Sequence, residues 1–296
     1  MPISPRSHRP HAGLVFERGL TVTDDWVDDV ESVDGSVKLA GTSIETVRAL
    51  LRACGSRDPV ATLKVGVSAE LSAYHQRRLA LVRAGNGSDR SSATLDARSL
   101  STILADNSAF VSGLGIPHPI ENGLAWHRTL GVPYLPGSGV KGLTLSYARD
   151  WHNWPDGTDE KVTTIRRIFG AEPENPRKDQ HKRRGSVVFL DAVPTEPPTV
   201  GVDVMTPHGK GDGRPDDERG ANGVKVKPIG FLSVRAMQLH FAVLPAPGAL
   251  IGNNTAVDLD EAVADCDRAM DWLTRSLALL GAGAKTRSDY GRMRPV

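Results

Sequence analysis

The residues best placed to do chemistry sit in two glycine-bearing stretches far apart in the chain. The first is Pro136-Gly137-Ser138-Gly139-Val140-Lys141-Gly142. Gly137 and Gly139 tolerate positive φ and put no side chain in the way of a ligand. Ser138 suits a helix N-cap, and the amides of a helix start beside Lys141 suit a phosphate oxygen. The plainer reading is a turn with an N-cap and a solvated lysine. A Walker loop is excluded, because no G-x-x-x-x-G-K-[ST] occurs. The second stretch, 281–294, sets Lys285, Arg287, Arg292 and Arg294 against Asp289 alone. Gly281, Gly283 and Gly291 there would let main-chain amides approach phosphates closely. Tyr290 can stack on a base or sit in a core.

Other candidates are weaker. Asp203 and His208 flank Met205 and raise the question of a metal or an acid–base pair. Zinc needs three or four closely spaced ligands, and nothing completes that set, so neither a metal nor any other cofactor is expected. Serine hydrolase chemistry lacks its G-x-S-x-G. The run Arg177, Lys178, His181, Lys182, Arg183, Arg184, broken by Asp179, is the strongest local positive charge. It is either a solvated loop or a phosphate-contacting one.

Elements must position these turns. Residues 94–105 read as a strand and 112–123 as a loop. A helix can open at Val140, and a short one lies near 161–168. Ser186–Val193 is an apolar run, predicting a buried central strand. The Gly-rich insert 203–227 follows. In 236–244, Met237, Leu239, Phe241 and Val243 alternate with Gln238 and His240, the period of a half-buried strand. The clearest helix is 259–280, with Leu259, Val263, Cys266, Met270, Leu273, Leu277 and Leu280 spaced four-three. Asp258 and Glu261 form its capping box, and Gly281 ends it. A last strand covers 290–295. Strand, helix, two strands, helix, strand is the ferredoxin-like or RRM-like α+β plan, an antiparallel sheet with two covering helices.

Ahead of this body, 1–12 reads as a loose tail and Asp24–Asp34 as an acidic, solvated face or a docking patch. Residues 43–53 and 69–83 read as helices, the second capped by Ser68. Its Arg77, Arg78 and Arg83 are expected to face solvent. Gly85-Asn86-Gly87-Ser88 is a flexible joint. It divides an N-terminal tail and helical region, 1–88, from a body of 89–296 carrying the 203–227 insertion.

The totals set bounds. The chain has 296 residues, 36 basic and 35 acidic, for a net charge of +1. Overall charge therefore points to no polyanion, and only local patches can. Cys54 and Cys266 are too few for a disulfide framework and read as buried thiols. No stretch approaches ~20 apolar residues and no signal-peptide pattern opens the chain, so a cytoplasmic protein without a membrane partner is expected.

Leu135-Pro136-Gly137-Ser138-Gly139-Val140-Lys141-Gly142 resembles the "PGSSLKG" signature of the RAMP superfamily, the RNA-binding subunits of CRISPR effectors. Gly201-Val202-Asp203-Val204-Met205-Thr206-Pro207-His208 resembles the "DVMTPH" motif of the family of sixth subunits of type III-B (Cmr) complexes. Gly281-Ala282-Gly283-Ala284-Lys285-Thr286 with Tyr290-Gly291-Arg292 resembles that family's glycine-rich loop. The three lie in register over roughly 90–296.

The resemblance implies an RRM-like fold and a non-catalytic RNA-binding subunit of a ribonucleoprotein in antiviral defence. It would hold the 3′ part of the guide CRISPR RNA and the guide–target RNA duplex at the end of the effector's backbone stack. Other partners would be the catalytic backbone subunit, the small subunit and the first RAMP subunit. The implied RNA contacts are Gly137, Ser138, Gly139, Lys141, Met205, His208, Gly283, Lys285, Arg287 and Arg292, with the loop at Met205–His208 wedging the duplex. In related backbone subunits a loop aspartate cleaves target RNA. Here residues 115–123 offer His118 and Glu121 but no aspartate, so binding without cutting is expected. The alternatives are a RAMP endonuclease that processes guide precursors through His118 or His208, and a protein-only adaptor.

Overall fold

The computed structural model describes residues 30–33, 36–39, 62–84, 98–118, 122–155, 159–170, 184–205, 229–246, 248, 250–251 and 255–296. The expected helix at 43–53, Cys54, the joint 85–88 and the basic run through Arg183 fall outside these residues. In chain order the strands are β1 (Val30–Val33), β2 (Ser36–Leu39), β3 (Leu63–Lys64), β4 (Arg98–Leu104), β5 (Val187–Phe189) and β6 (Val193–Pro194). They continue with β7 (Thr199–Met205), β8 (Ile229–Ala236), β9 (Gln238–Pro245), β10 (Leu250–Ile251), β11 (Thr255–Ala256) and β12 (Met293–Pro295). The helices are α1 (Ser68–Ala84), α2 (Gly137–Asp150), α3 (Glu160–Phe169) and α4 (Leu259–Leu279).

The chain divides into two compact units. One comprises Met1–Gly66, Gly113–Pro133 and Pro197–Ala236. It holds the hairpin β1–β2 and an antiparallel sheet of order β3-β7-β8. The long β7–β8 pair runs from Thr199↔Ala236 to Met205↔Ile229, with a register shift between Thr199 and Val200.

The other unit comprises Val67–Ser112, Tyr134–Glu196 and Met237–Val296. Its sheet has the order β12-β4-β9-β5, all antiparallel, with β6 also pairing β9. Taking β4, β5, β9 and β12 as first to fourth, the spatial order is fourth-first-third-second. With α2 between the first two and α4 between the last two, this is the split β-α-β-β-α-β plan. The alternation in β9 does what its period demands. Leu239, Phe241 and Val243 are fully buried, while Gln238 and His240 are half-buried. A core of Tyr147, Phe169, Val187, Val243, Cys266 and Trp272 joins α2, α3 and α4 to the sheet.

α4 starts as its capping box requires, with Asp258 Oδ1 accepting the Glu261 N–H at 2.7 Å. Its buried stripe is rotated from the expected one. Leu259, Val263, Met270 and Leu280 are only half-buried, whereas Ala262, Ala269 and Ser276 are fully buried with Cys266, Leu273 and Leu277. Small residues seven apart let the helix approach its neighbours closely, and the larger side chains flank that line. Asp265 lies in the same stripe at 1% exposure. It accepts Arg167 Nε and Nη2 of α3 at 2.8 and 2.7 Å and Ser186 Oγ at 2.6 Å. Those bonds, with Glu261 Oε1 3.0 Å from Arg167 Nη1, hold the Arg167 pKa above its ordinary value. A buried carboxylate is tolerable only with such a set of donors.

Two expectations are corrected. Ser186–Val193 is not one buried central strand. It breaks at Asp191 into β5 and β6, β5 lies at the sheet edge, and Val188 is 41% exposed. An acid has no place in a buried ladder, and Asp191 turns aside to bond elsewhere. Nor does Arg78 face solvent: it is half-buried, and its Nη1 donates to the Asp191 carbonyl at 2.7 Å. Arg77 is exposed as expected. The Arg83 side chain lies outside the described residues.

α1 precedes the expected boundary at residue 88, yet it is bonded to the sheet unit. His75 Nε2 lies 3.0 Å from the Pro194 carbonyl, and the His75 ring meets His240 edge-on at 5.3 Å. This is the β9 face opposite Leu239 and Phe241. Burial, with the cations His75 and Arg78 beside it, lowers the His240 pKa to about 4. Burial lowers His75 as well.

Two predictions follow from these contacts. Asp265→Ala leaves the Arg167 guanidinium with Glu261 as its one carboxylate partner among the described residues and is expected to cost about 3 kcal/mol in urea unfolding. Arg167→Met with Asp265→Leu should restore most of that loss. Because His240 and His75 bind protons less readily folded than unfolded, stability falls as pH drops from about 6.5 towards about 4. Thermal melts of His240→Gln should show a flatter pH dependence across that window.

Candidate nucleic-acid interface

The first glycine turn is built from three bonds to the β5–β6 break. Leu135 and Ala192 exchange backbone hydrogen bonds of 3.0 and 2.8 Å, and Gly137 N–H donates to Asp191 Oδ1 at 2.6 Å. The chain enters α2 at Pro136, whose φ of −58° and ψ of 146° are those of an extended residue. Ser138 therefore does not cap the helix. It lies within the first turn, exposed, and the cap is supplied by Asp191 from outside the helix. Gly137 is buried, and a Cβ there would collide with the Phe189 carbonyl. Gly139 N–H donates back to Pro136 O at 2.8 Å. Lys141 is half-exposed, and Gly142 is exposed with open space where a Cβ would stand.

The second turn is held against a different segment, the non-strand stretch Ala105–Ser112. Ala284 N–H donates to Val111 O at 2.7 Å and Gly291 N–H to Ala109 O at 2.6 Å. Arg292 N–H donates to Ser108 Oγ at 3.1 Å, and Ser108 Oγ donates to Asp289 O at 2.7 Å. Gly281, Gly283 and Gly291 have φ of 78°, 87° and 74°, where side chains strain the backbone. At Gly283 a Cβ would meet Val111 O, and at Gly291 it would meet Ala282 O. These glycines are thus required by the loop's own packing. Lys285, φ 57°, is half-exposed at the start of a 3₁₀ turn, Thr286–Ser288, and Arg287 in it is exposed. Arg292 is turned inward: Nη1 donates to the Ala278 carbonyl near the end of α4 at 3.1 Å, and Nε lies 3.8 Å from Asp289.

Val111 and Ser112 bond to one region each. Ser112 Oγ donates to Tyr134 O at 2.8 Å, immediately ahead of the first turn, while Val111 O takes the Ala284 N–H of the second. Adjacent residues of one segment therefore anchor both. The residues so tied are Tyr134, ahead of residues 137–141, and Ala284, ahead of Lys285 and Arg287.

Met205, half-exposed, ends β7 in the other unit, and His208 lies outside the described residues. Asp203 Oδ2 pairs with Arg235 Nη2 at 3.1 Å, a reach along the β7–β8 pair from Arg235 at the register shift, since Asp203 itself stands opposite Phe231. His118 is half-exposed, and Glu121 is outside the described residues. No group of three or more metal-ligating side chains occurs among the described residues. Asp191 and Arg78 were missed by sequence reasoning. The signal for Asp191 was present as the one acid inside an apolar run.

The sequence model of the RAMP superfamily matches residues 82–294. A curated relative, the CRISPR system Cmr subunit Cmr6 of Pyrococcus furiosus, is 26% identical over 238 residues. That alignment spans 63% of this chain and 65%, just under two thirds, of the relative. A chain in the cryo-EM structure of the type III-B Cmr-beta complex bound to cognate target RNA shares 18% identity at a TM-score of 0.56. It aligns over 85% of this chain and 72% of its own length. The crystal structure of Cmr6 from Pyrococcus furiosus aligns at 24% identity and a TM-score of 0.35, over 68% of this chain and 97% of that one.

The glycines of the two regions should respond oppositely to a methyl group. Gly291→Ala is expected to lower stability by more than about 1 kcal/mol, from positive φ and backbone collision. Gly142→Ala, helical and unobstructed, should raise it by about 0.5–1 kcal/mol. Urea unfolding of the free chain reads both.

Proposed function

This chain belongs to the RAMP superfamily, and from that premise we propose that it is an RNA-binding subunit of a type III-B CRISPR effector that does not itself cut RNA. The observation that carries the reading is the common anchorage of the two glycine turns on Val111 and Ser112. One strand of sugar–phosphate then runs past Lys141 on one turn and Lys285 and Arg287 on the other. The exposed Ser138–Gly142 edge offers a close approach, since no side chain stands at Gly142. The ligand is the 3′ part of the guide RNA, extended by its duplex with target RNA. Met205 and His208 belong to a loop that wedges that duplex.

Likeness to the Cmr6 relative and to the fold seen in a target-bound Cmr assembly supports this assignment. The catalytic backbone subunit, the small subunit and the first RAMP subunit are the protein partners of the same reading. No helix among the described residues is long and apolar enough to cross a membrane.

Binding of labelled single-stranded RNA to the full chain, across a salt series, tests the proposal. Each phosphate contact contributes about 0.7 to the slope of log K against log salt for single strands. Lys141→Ala should reduce the slope by about one contact, and Lys285→Ala with Arg287→Ala by about two. Unchanged slopes in both would refute it. A discrete RNA product formed without metal would instead favour a processing endonuclease.

A further inference from the structure

We infer that Asp191 is a positioning residue for the glycine turn at the start of α2, an inference that rests on the RNA-binding reading of that turn. Asp191 sits in the break between β5 and β6, and three contacts meet there. Its Oδ1 accepts the Gly137 N–H at 2.6 Å. Its carbonyl accepts Arg78 Nη1 of α1 at 2.7 Å. Its neighbour Ala192 exchanges two backbone hydrogen bonds with Leu135. Asp191 and Ala192 therefore grip the chain on both sides of Pro136, fixing where the turn points.

Among the described residues no other group is bonded to the Gly137 amide. Pro136 has no N–H to contribute. The helix has no side-chain cap of its own. Gly137 is buried beneath the Phe189 carbonyl, so its amide depends on a protein partner rather than on bulk water. A carboxylate also complements the positive end of the helix. The first amide of α2 is thus already occupied by an anion, and an RNA phosphate has to be met further along, by Lys141 and the exposed Ser138–Gly142 edge. Loss of the carboxylate leaves the turn sampling other conformations, and the apparent affinity falls with the fraction still correctly placed.

Three full-length variants, Asp191→Ala, Asp191→Asn and Lys141→Ala, separate the possibilities with labelled single-stranded RNA of mixed sequence. Amide hydrogen exchange of the peptide covering 135–141 is followed in parallel. Loss of a helix cap predicts that Asp191→Ala weakens binding about threefold to tenfold. Asp191→Asn keeps an acceptor for Gly137 and should stay within about twofold of the parent. Exchange should accelerate only in the alanine variant. If Lys141→Ala weakens binding while Asp191→Ala does not, the positioning role is wrong. It is equally wrong if Asp191→Asn falls as far as Asp191→Ala, since the charge would then be what matters. If Lys141→Ala changes nothing, the RNA reading of the turn fails, and the exchange comparison alone decides whether Asp191 orders it. Should Asp191→Ala lose its cooperative melt, Asp191→Ser, too short to reach Gly137, takes its place in the same comparison.

Discussion

Irregular backbone cannot be buried with its polar groups unpaired, and that constraint organises the sheet-bearing unit. The glycine loop after α4, outside helix and strand for most of its length, must find partners for its amides and carbonyls. The stretch between Ala105 and Ser112, itself outside any strand, supplies them. Ala105 N–H donates to Arg292 O, Ala109 O accepts Gly291 N–H, and Val111 O accepts Ala284 N–H. Ser108 and Ser112 add their hydroxyls. Phe110 and Val111 are fully buried meanwhile, so the stretch is fixed from the core side as it holds the loops on the other.

This changes what the glycines mean. Loops rich in glycine invite the idea that the residues are small to make room for a ligand. At Gly137, Gly281, Gly283 and Gly291 the room is taken by the protein's own carbonyls. Three of these also sit at positive φ, which side chains rarely adopt. Gly142 is different. It lies in a helix, where glycine costs about 1 kcal/mol against alanine, and nothing in the chain occupies the space beside it. Of the glycines in the two turns, it is the one whose smallness the chain itself does not use.

Local patterns were legible, and distant partners were not. The capping box at Asp258 and Glu261 and the alternation of β9 depend on neighbours in sequence, and both formed as spaced. The order of strands and helices followed because each element's period was readable. The cap on α2 was misassigned to Ser138 because the true acceptor lies 54 residues away at Asp191. Local sequence leaves Arg78 looking solvated because its partner is 113 residues away. The rotation of the α4 stripe towards Ala262, Ala269 and Ser276 has the same origin. A helical wheel ranks large apolar residues first, whereas close packing selects small ones. Of the expected contact residues, those at 137–141 follow a bond from Ser112 to Tyr134, and Lys285 and Arg287 follow one from Ala284 to Val111. His208 lies beyond the described residues, and Met205 belongs to the other unit.

A net charge of +1 does not mean that charge is spread evenly over this chain. Acids are not spread evenly over the bases. Asp267 pairs with Arg98, Asp150 with Arg149, Asp203 with Arg235, Asp271 with Arg275, and Asp265 with Arg167. Each pair removes one positive and one negative charge from the field seen at a distance of more than a Debye length. Lys141 and Arg287 form no ion pair with a carboxylate among the described residues. Asp289, the acid nearest them in the loop, lies beside the inward-turned Arg292. Near-neutrality of the whole chain therefore does not describe the charge at Lys141 and Arg287. The same sorting explains why Arg292, although it lies in the glycine loop, serves the fold: its guanidinium is given to the end of α4, where exposed carbonyls favour a cation.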